Sequence, residues 1–334
     1  MNAHIKPTIN LLQGDCLELL KTIPDNSIDL ILTDPPYYQV LKKEAWDNQW
    51  ETLEEFLDWI EIVGIELKRV LKTNGAMLMF AHSRWAAYVQ IRMDKHFYYL
   101  NHLVWRKTNS LPASRPRAYN FFALNTERCL FYRHPEAVSI NEELKKQRDT
   151  YPRLRKYFAD LKKAIGKDNK DIAIAIGTTG ATHAFQLKGM QWYLPTRETY
   201  EKLLSLGRSP AFEPRAYEDL KREFDKETKR EIRRLKLPPN RHFEFQPGFM
   251  EVIDCGVNST NRKHPAQKPL PLLQGLIRSA CPPGGLTLDP FAGSASTGVA
   301  AIKEGRRFIG FEKDDHYFKV AQTRLELAAA AQKG

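Results

Sequence analysis

The sequence is poor in the features that mark several large protein classes. Its 4 cysteines (Cys16, Cys129, Cys255 and Cys281) are scattered through 334 residues and never form a C-x-x-C pair. That distribution argues against a zinc site or a disulfide scaffold, so no metal is expected, and it fits a reducing, cytoplasmic compartment. No apolar run approaches the roughly 18 residues that a membrane helix needs, so no membrane partner is expected. The opening Met1-Asn2-Ala3-His4-Ile5-Lys6-Pro7 lacks the basic-then-apolar order of a secretory signal. No G-x-G-x-x-G stretch is present, which argues against a nicotinamide-dinucleotide enzyme. No internal repeat is visible either. With 42% hydrophobic and 27% charged residues, what remains is the composition of a folded globular chain.

The chain does carry a surplus of positive charge, +11 overall, from 51 Lys+Arg against 40 Asp+Glu. Residues 141–240 alone hold 23 Lys+Arg and 15 Asp+Glu, so most of the surplus sits in the middle third. A local basic excess of this kind favours a polyanionic partner.

Three textures follow one another. From Thr8 to about His134, strand-like runs (Ile9–Gln13, Ile28–Thr33, Ala76–Phe80, His102–Trp105, Cys129–Tyr132) alternate with helical periodicity. The clearest helix opens on the capping box Thr52-x-x-Glu55 and repeats Leu53, Phe56, Leu57, Ile60, Leu67, Val70 and Leu71, with Asn74-Gly75 as its stop signal. The middle block, Asn141 to Asn240, reads as charged helices (Asn141–Lys163, Tyr217–Lys236) punctuated by prolines. Within it, Asp171–Gly177 and Ala181–Leu187 fit either a helix-turn-helix or a plain helical hairpin. From His242 onward α/β texture returns, with strands at Leu286–Leu288 and Arg307–Phe311 and helices at Ala295–Glu304 and Asp314–Gln332. The pattern predicts an α/β fold: a doubly wound, mostly parallel sheet covered on both faces and interrupted by a helical insertion.

Two strand ends carry the chemistry. Asp34-Pro35-Pro36-Tyr37 follows the run Ile28–Thr33, at the kind of strand end where open α/β sheets hold ligands. Two prolines make a stiff loop with free carbonyls, beside an acid and an aromatic ring. That set suits a planar base with an exocyclic amine: Asp34 and the Pro35 carbonyl accept its two N–H groups while Tyr37 stacks on its face. Leu288-Asp289-Pro290-Phe291-Ala292-Gly293-Ser294 is a strand running into a small-residue turn, where a ligand can approach the backbone and a helix N-terminus favours an anionic group. About twenty residues on, Glu312 ends the next strand, the spacing by which a carboxylate holds an adenosine ribose.

Together these motifs resemble the S-adenosylmethionine-dependent DNA amino-methyltransferases that modify adenine N6 or cytosine N4. The order, catalytic motif first and cofactor motif last, is similar to the permuted β group of that family. Gly14-Asp15-Cys16, Trp46-Asp47 in a loop that is mobile in the family, Arg69-Val70-Leu71-Lys72-x-x-Gly75 and His264-Pro265-Ala266-Gln267-Lys268-Pro269 are in register with it. Ala295-Ser296 departs from the family's usual Gly-Thr.

The resemblance implies a Rossmann-like methyltransferase sheet with a helical inserted target-recognition domain. It divides the chain into a catalytic part (1–140), a basic target-recognition insertion (141–241) and a cofactor-binding part (242–334). S-adenosylmethionine is the implied cofactor and S-adenosylhomocysteine the product, with no metal. Asp15, Cys16, Lys268, the Asp289–Ser294 turn and Glu312 would hold the cofactor, Lys268 lying near its carboxylate. The competing readings are a helix cap for Asp15, a surface salt bridge for Glu312 and a solvated lysine for Lys268. Double-stranded DNA is the implied substrate, with the target base flipped into the pocket. Arg106, Lys107, Arg115, Arg117, Arg233 and Arg234 would meet phosphate, and His183, Gln186, Lys188 and Trp192 would reach the groove. His82 and His134 read as structural. A homodimer and a cognate restriction enzyme would be the remaining partners. Asp rather than Ser at position 34 leans to adenine. N4-cytosine methylation, methylation of RNA or of a protein amide on the same fold, and a catalytically silent DNA-binding regulator are the alternatives.

Overall fold

A computed structural model describes residues 9–109, 125–137, 150–178, 180–185, 192–235, 242–257 and 263–332. The chain divides into two compact units, one formed by residues 1–137 with 241–334 and the other by residues 138–240. Among the described residues no helix is long and apolar enough to cross a membrane.

The first unit is built on one eight-stranded sheet: β1 (Ile9–Gln13), β2 (Ile28–Thr33), β3 (Leu71–Ala81), β4 (Tyr98–Lys107), β5 (Thr126–Arg133), β6 (Val252–Cys255), β7 (Leu286–Asp289) and β8 (Arg307–Glu312). Their spatial order is β1-β8-β7-β2-β3-β5-β4-β6. β5 alone runs against the others. The strands β7 and β8, which follow the second unit in sequence, are threaded between β1 and β2.

Alternating side chains of the central strands feed two separate cores, as a strand buried on both faces requires. Leu30 and Leu32 of β2, with Leu78 and Phe80 of β3, pack against the helices Leu270–Ala280 (α8), Ser296–Lys303 (α9) and Asp315–Ala330 (α10). Ile31, Met77 and Met79 face the other way, onto Cys16–Leu20 (α1), Leu53–Val70 (α2) and Ala86–Met93 (α3). The Thr52 hydroxyl caps α2 by accepting from Glu55 N at 3.2 Å. The expected stop at Asn74-Gly75 is displaced: α2 ends at Val70, and residues 72–75 bulge out of the β2–β3 ladder, between the pairs Ile28–Leu71 and Leu30–Ala76. The turn signal marks that bulge rather than a helix end.

The second unit contains Pro152–Ile165 (α4), Asn169–Ile176 (α5), Arg197–Ser205 (α6) and Tyr217–Arg234 (α7). Its core combines aliphatic side chains such as Leu154, Leu161 and Ile172 with aromatic rings. The Tyr151 ring stacks on Trp192 and Phe224, with centroids 5.1 and 4.7 Å away. Trp192 is 5% exposed, and its indole N–H donates to the Ala184 carbonyl at 2.8 Å. It is a core residue and not the groove contact expected from the sequence. After α5, residues Gly180–Phe185 form a 3-10 turn, so the second α-helix of a helix-turn-helix does not begin where the pattern placed it.

The α9 helix lies close against its neighbours because of Gly298. A Cβ there would stand 2.6 Å from the Phe308 ring and 2.7 Å from Leu325. Gly298→Val should cost about 1–3 kcal/mol through overpacking, read as a lower urea midpoint at unchanged slope.

Candidate active site

The site is set by the pairing of β2 with β7, in which Leu30 stands opposite Thr287 and Ile31 opposite Leu288. The carboxyl ends of these strands bring Asp34-Pro35-Pro36-Tyr37 and the Asp289–Ser294 turn side by side. The Thr33 hydroxyl crosses the seam and donates to Asp289 Oδ1 at 2.9 Å. The same oxygen accepts from Phe291 N at 3.2 Å, which fixes the start of the turn. Burial raises the Asp289 carboxyl to about 6, against hydrogen bonds from Thr297 and Thr33. Both motifs line a single cavity of about 740 Å³ together with Gly14–Cys16, His264–Lys268 and Glu312.

On the glycine side, Gly293 and Ala295 hold left-handed backbone, with φ of 52° and 55°. A Cβ on Gly293 would meet the His264 ring at 3.4 Å. The Arg324 guanidinium secures this turn by donating to the Ser294 carbonyl, and to the Ser294 and Ser296 hydroxyls at 2.6 and 3.2 Å. Glu312 accepts from Gly293 N and Asp314 N, both at 2.8 Å, tying the turn to the end of β8; burial raises its carboxyl. It lines the cavity, and among the described residues it makes no salt bridge. Asp15 is both a helix cap and a wall residue: Oδ1 accepts from Leu17 N at 3.0 Å, Oδ2 from Lys313 Nζ at 3.2 Å. Burial, with the Asp15 charge, pushes the Cys16 thiol up to about 12.

On the proline side the charges are densest. Asp34 Oδ1 accepts from the Tyr37 hydroxyl, and Oδ2 from Lys268 Nζ. The same ammonium lies 3.1 Å from Glu127 Oε2, while Lys107 Nζ holds Glu127 Oε1 at 2.5 Å. The Tyr37 hydroxyl stands 3.3 Å from Glu127 Oε2. Because β5 is antiparallel, Glu127 at its start reaches the same edge as the carboxyl ends of β2 and β3. Burial raises the Asp34 carboxyl, partly offset by Lys268. Burial works against the Lys268 ammonium, yet the Asp34 and Glu127 carboxylates together raise its pKa, so it stays charged. Lys268 is therefore neither solvated nor free to reach a distant ligand; its side chain is 7% exposed.

The loop after Tyr37 folds around Asp47, which is fully buried. Its carboxylate accepts from Tyr37 N at 2.5 Å, Val40 N at 2.8 Å and Leu41 N at 2.6 Å. These bonds hold Tyr38 and Gln39 in left-handed backbone, at φ 62° and 55°. Beside Asp47, the Trp46 ring stacks on His264 at 5.6 Å, and His264 meets the Tyr317 ring edge-on at 4.3 Å. Burial keeps His264 neutral by lowering it to about 4.

Several expected residues lie elsewhere. Lys107 points into the cavity to Glu127, while Arg106 is exposed and paired bidentately with Asp254 at 2.6 and 2.5 Å. Arg234 pairs with Glu231 at 2.7 Å, Arg233 is exposed on α7, and His183 lies in the 3-10 turn. Arg115, Arg117, Gln186 and Lys188 lie outside the described residues. His82, read as structural, lines the cavity with its ring 6.0 Å from that of Tyr37. Sequence reasoning missed Glu127 and Arg324: each is a lone charged residue in an ordinary strand or helix, and only long-range pairing reveals it.

A sheet whose adjacent strand ends offer an acid-Pro-Pro-Tyr tip and a small-residue turn to one cavity defines a Rossmann-like transferase. Residues 28–323 match the family model N6_N4_Mtase, described as DNA methylase, and the chain belongs to this family of DNA methyltransferases. It is 27% identical over 319 residues to the DNA adenine methyltransferase YhdJ of Escherichia coli (strain K12), covering 96% of this chain and 83% of that protein. Among solved structures, the cytosine-N4-specific PvuII DNA methyltransferase shares the fold with a TM-score of 0.52 at 18% identity, over 97% of this chain and 90% of that one. The M1.HpyAVI–SAM complex does so with a TM-score of 0.50 at 19% identity, over 95% and 99% of the two chains.

Asp47→Ala would leave three backbone N–H groups without their acceptor. It should destabilise the first unit by about 3 kcal/mol. Hydrogen exchange at the Val40 and Leu41 amides should rise in the same variant.

Proposed function

We propose that this methyltransferase moves the methyl group of S-adenosylmethionine onto the N6 amine of adenine in double-stranded DNA. The observation that carries the reading is the single cavity shared by the two adjacent strand ends, bridged by the Thr33–Asp289 hydrogen bond. The adenine choice rests on Asp at position 34 and on the likeness to an adenine methyltransferase.

The walls fit the cofactor. Ala292, Gly293 and Ser294 leave room where larger side chains would fill the turn, and Asp15 and Glu312 stand on either side of the β1–β8 corner, whose backbone is closed by Gly14 N donating to Glu312 O at 3.0 Å. In this reading Asp15, Cys16 and Glu312 surround the adenosine, and the Asp289–Ser294 turn receives the methionine end. Lys268 is assigned to the amine pocket instead, because Asp34, Glu127 and the Tyr37 hydroxyl, its partners, are all there. S-adenosylmethionine supplies an already activated methyl group, so no metal is called for.

The residues then do the rest. The lone pair of an exocyclic amine is delocalised into its ring, which makes it a weak nucleophile. Asp34 and the Pro35 carbonyl accept its two N–H bonds, favouring a pyramidal nitrogen with a localised pair. Proximity and alignment in the shared cavity supply much of the acceleration. Tyr37 packs against the base, which must leave the duplex to reach the cavity. The basic second unit, including Lys162, Lys163, Lys229, Arg230 and Arg233, is the proposed target-recognition part.

Asp34→Ala should lower methyl transfer by at least about 10²–10³-fold while the melting profile stays close to native. Modified-base sequencing of DNA from expressing cells should show N6-methyladenine. An N4-methylcytosine signal would move the target to cytosine, and tight cofactor binding without any DNA methylation would overturn the enzyme reading. DNA affinity should also fall steeply with added salt, as counterion release requires.

A further inference from the structure

Asp34, the acceptor assigned to the target amine, has both carboxylate oxygens engaged already, one by the Tyr37 hydroxyl and one by the Lys268 ammonium. Each oxygen keeps a second lone pair, so an arriving amine competes with these two donors for Asp34 and loosens the hold of at least one of them. Resting on the functional reading above, we propose that Glu127 is a positioning residue that takes the Lys268 ammonium from Asp34 when the amine arrives.

The geometry leaves the ammonium little choice. A charged lysine cannot be released into a buried pocket without a partner, because its desolvation would go uncompensated. Glu127 Oε2 already stands 3.1 Å from Nζ, so a small swing of the side chain exchanges one carboxylate for the other. Lys107 holds the opposite oxygen, Oε1, at 2.5 Å, which keeps Oε2 turned toward Lys268. The rings of Phe80 and Tyr37, 4.9 and 5.4 Å from Nζ, wall the space and offer their faces to the cation along its path. The Tyr37 hydroxyl lies within reach of both acids and can follow either one. Two carboxylates and two ammonium groups balance in charge. The pocket can thus stay desolvated before and after the exchange.

Glu127 also faces Asp34 as a like charge, alongside Lys268, Tyr37 and the more distant Asp289, with His82 beside Tyr37. Removing the Glu127 charge should therefore let Asp34 ionise at lower pH. At the same time it should strand Lys268 on Asp34.

The test follows methyl transfer from labelled S-adenosylmethionine to whole-genome-amplified, hence unmethylated, DNA across pH. Glu127→Gln should lower kcat about 10- to 100-fold, as a misplaced acceptor does, and shift the acid limb of the profile to lower pH. The KM for cofactor should stay near native. Glu127→Asp keeps the charge, so its acid limb should remain in place and much of the activity return; it also carries the test if the glutamine variant does not fold. In a Lys268→Gln background, Glu127→Gln should cost nothing further, because the ammonium it would receive is gone. An unmoved acid limb, or an equal cost in both backgrounds, would overturn the role of Glu127 while leaving the methyltransferase reading intact. A native enzyme that methylates no DNA would remove both.

Discussion

The chemistry at the strand ends depends on one buried seam, the parallel pairing of β2 with β7 and the Thr33–Asp289 hydrogen bond that closes it. Group transfer requires reacting atoms within about 3–3.5 Å of each other at the moment of reaction. Each strand interposed between the two turns would add about 4.8 Å to their separation. With β7 directly beside β2 the turns open on one cavity. With even one strand between them, no side-chain adjustment would restore alignment. The buried Asp289 carboxylate is a costly way to make such a seam, but it also receives Phe291 N and so orients the turn it introduces.

The second constraint is electrostatic. Asp34 and Glu127 bring two acids close together in a desolvated wall, an arrangement that would drive one of them to protonate if nothing opposed it. Lys268 and Lys107 oppose it, each within ion-pair reach of Glu127, with Lys268 also on Asp34. The aromatic loop does the complementary task on the other wall. Asp47 gathers three backbone amides into a fixed bend, and Trp46 lays that bend against His264, which in turn meets Tyr317. His264 can sit in that stack because burial keeps its ring uncharged.

Periodicity and turn chemistry made the α/β layers readable: β1, β2 and α2 fall on the runs that predict them, and Ile28–Thr33 reads as a strand buried on both faces because it is one. The pairing of the Asp34 and Asp289 motifs could be inferred only because one chemistry needs both. Other features were hidden for physical reasons. Nothing local distinguishes Glu127 from any strand glutamate, since its meaning comes from β5 running antiparallel. The Asn74-Gly75 signal was real, but a bulge and a helix end use the same residues. Trp192 looked like a reader of DNA because an aromatic in a basic segment is ambiguous until its burial is known; its indole N–H is already committed to Ala184.

The threading of β7 and β8 between β1 and β2 has a consequence for biosynthesis. The strands β1 and β2 leave the ribosome early, but the neighbours that lie between them in the sheet are translated only after the whole second unit. Until then β1 and β2 have no partner on their facing edges, and the hydrophobic runs flanking them stay unsatisfied. Such late, long-range closure is slow and leaves edges exposed to wrong pairings. A product whose translation halts before Leu286 would lack β7, β8, the Asp289–Ser294 turn and Glu312, and so most of the wall assigned to the cofactor. A chain cut there keeps the Asp34–Tyr37 tip but not the turn that stands beside it.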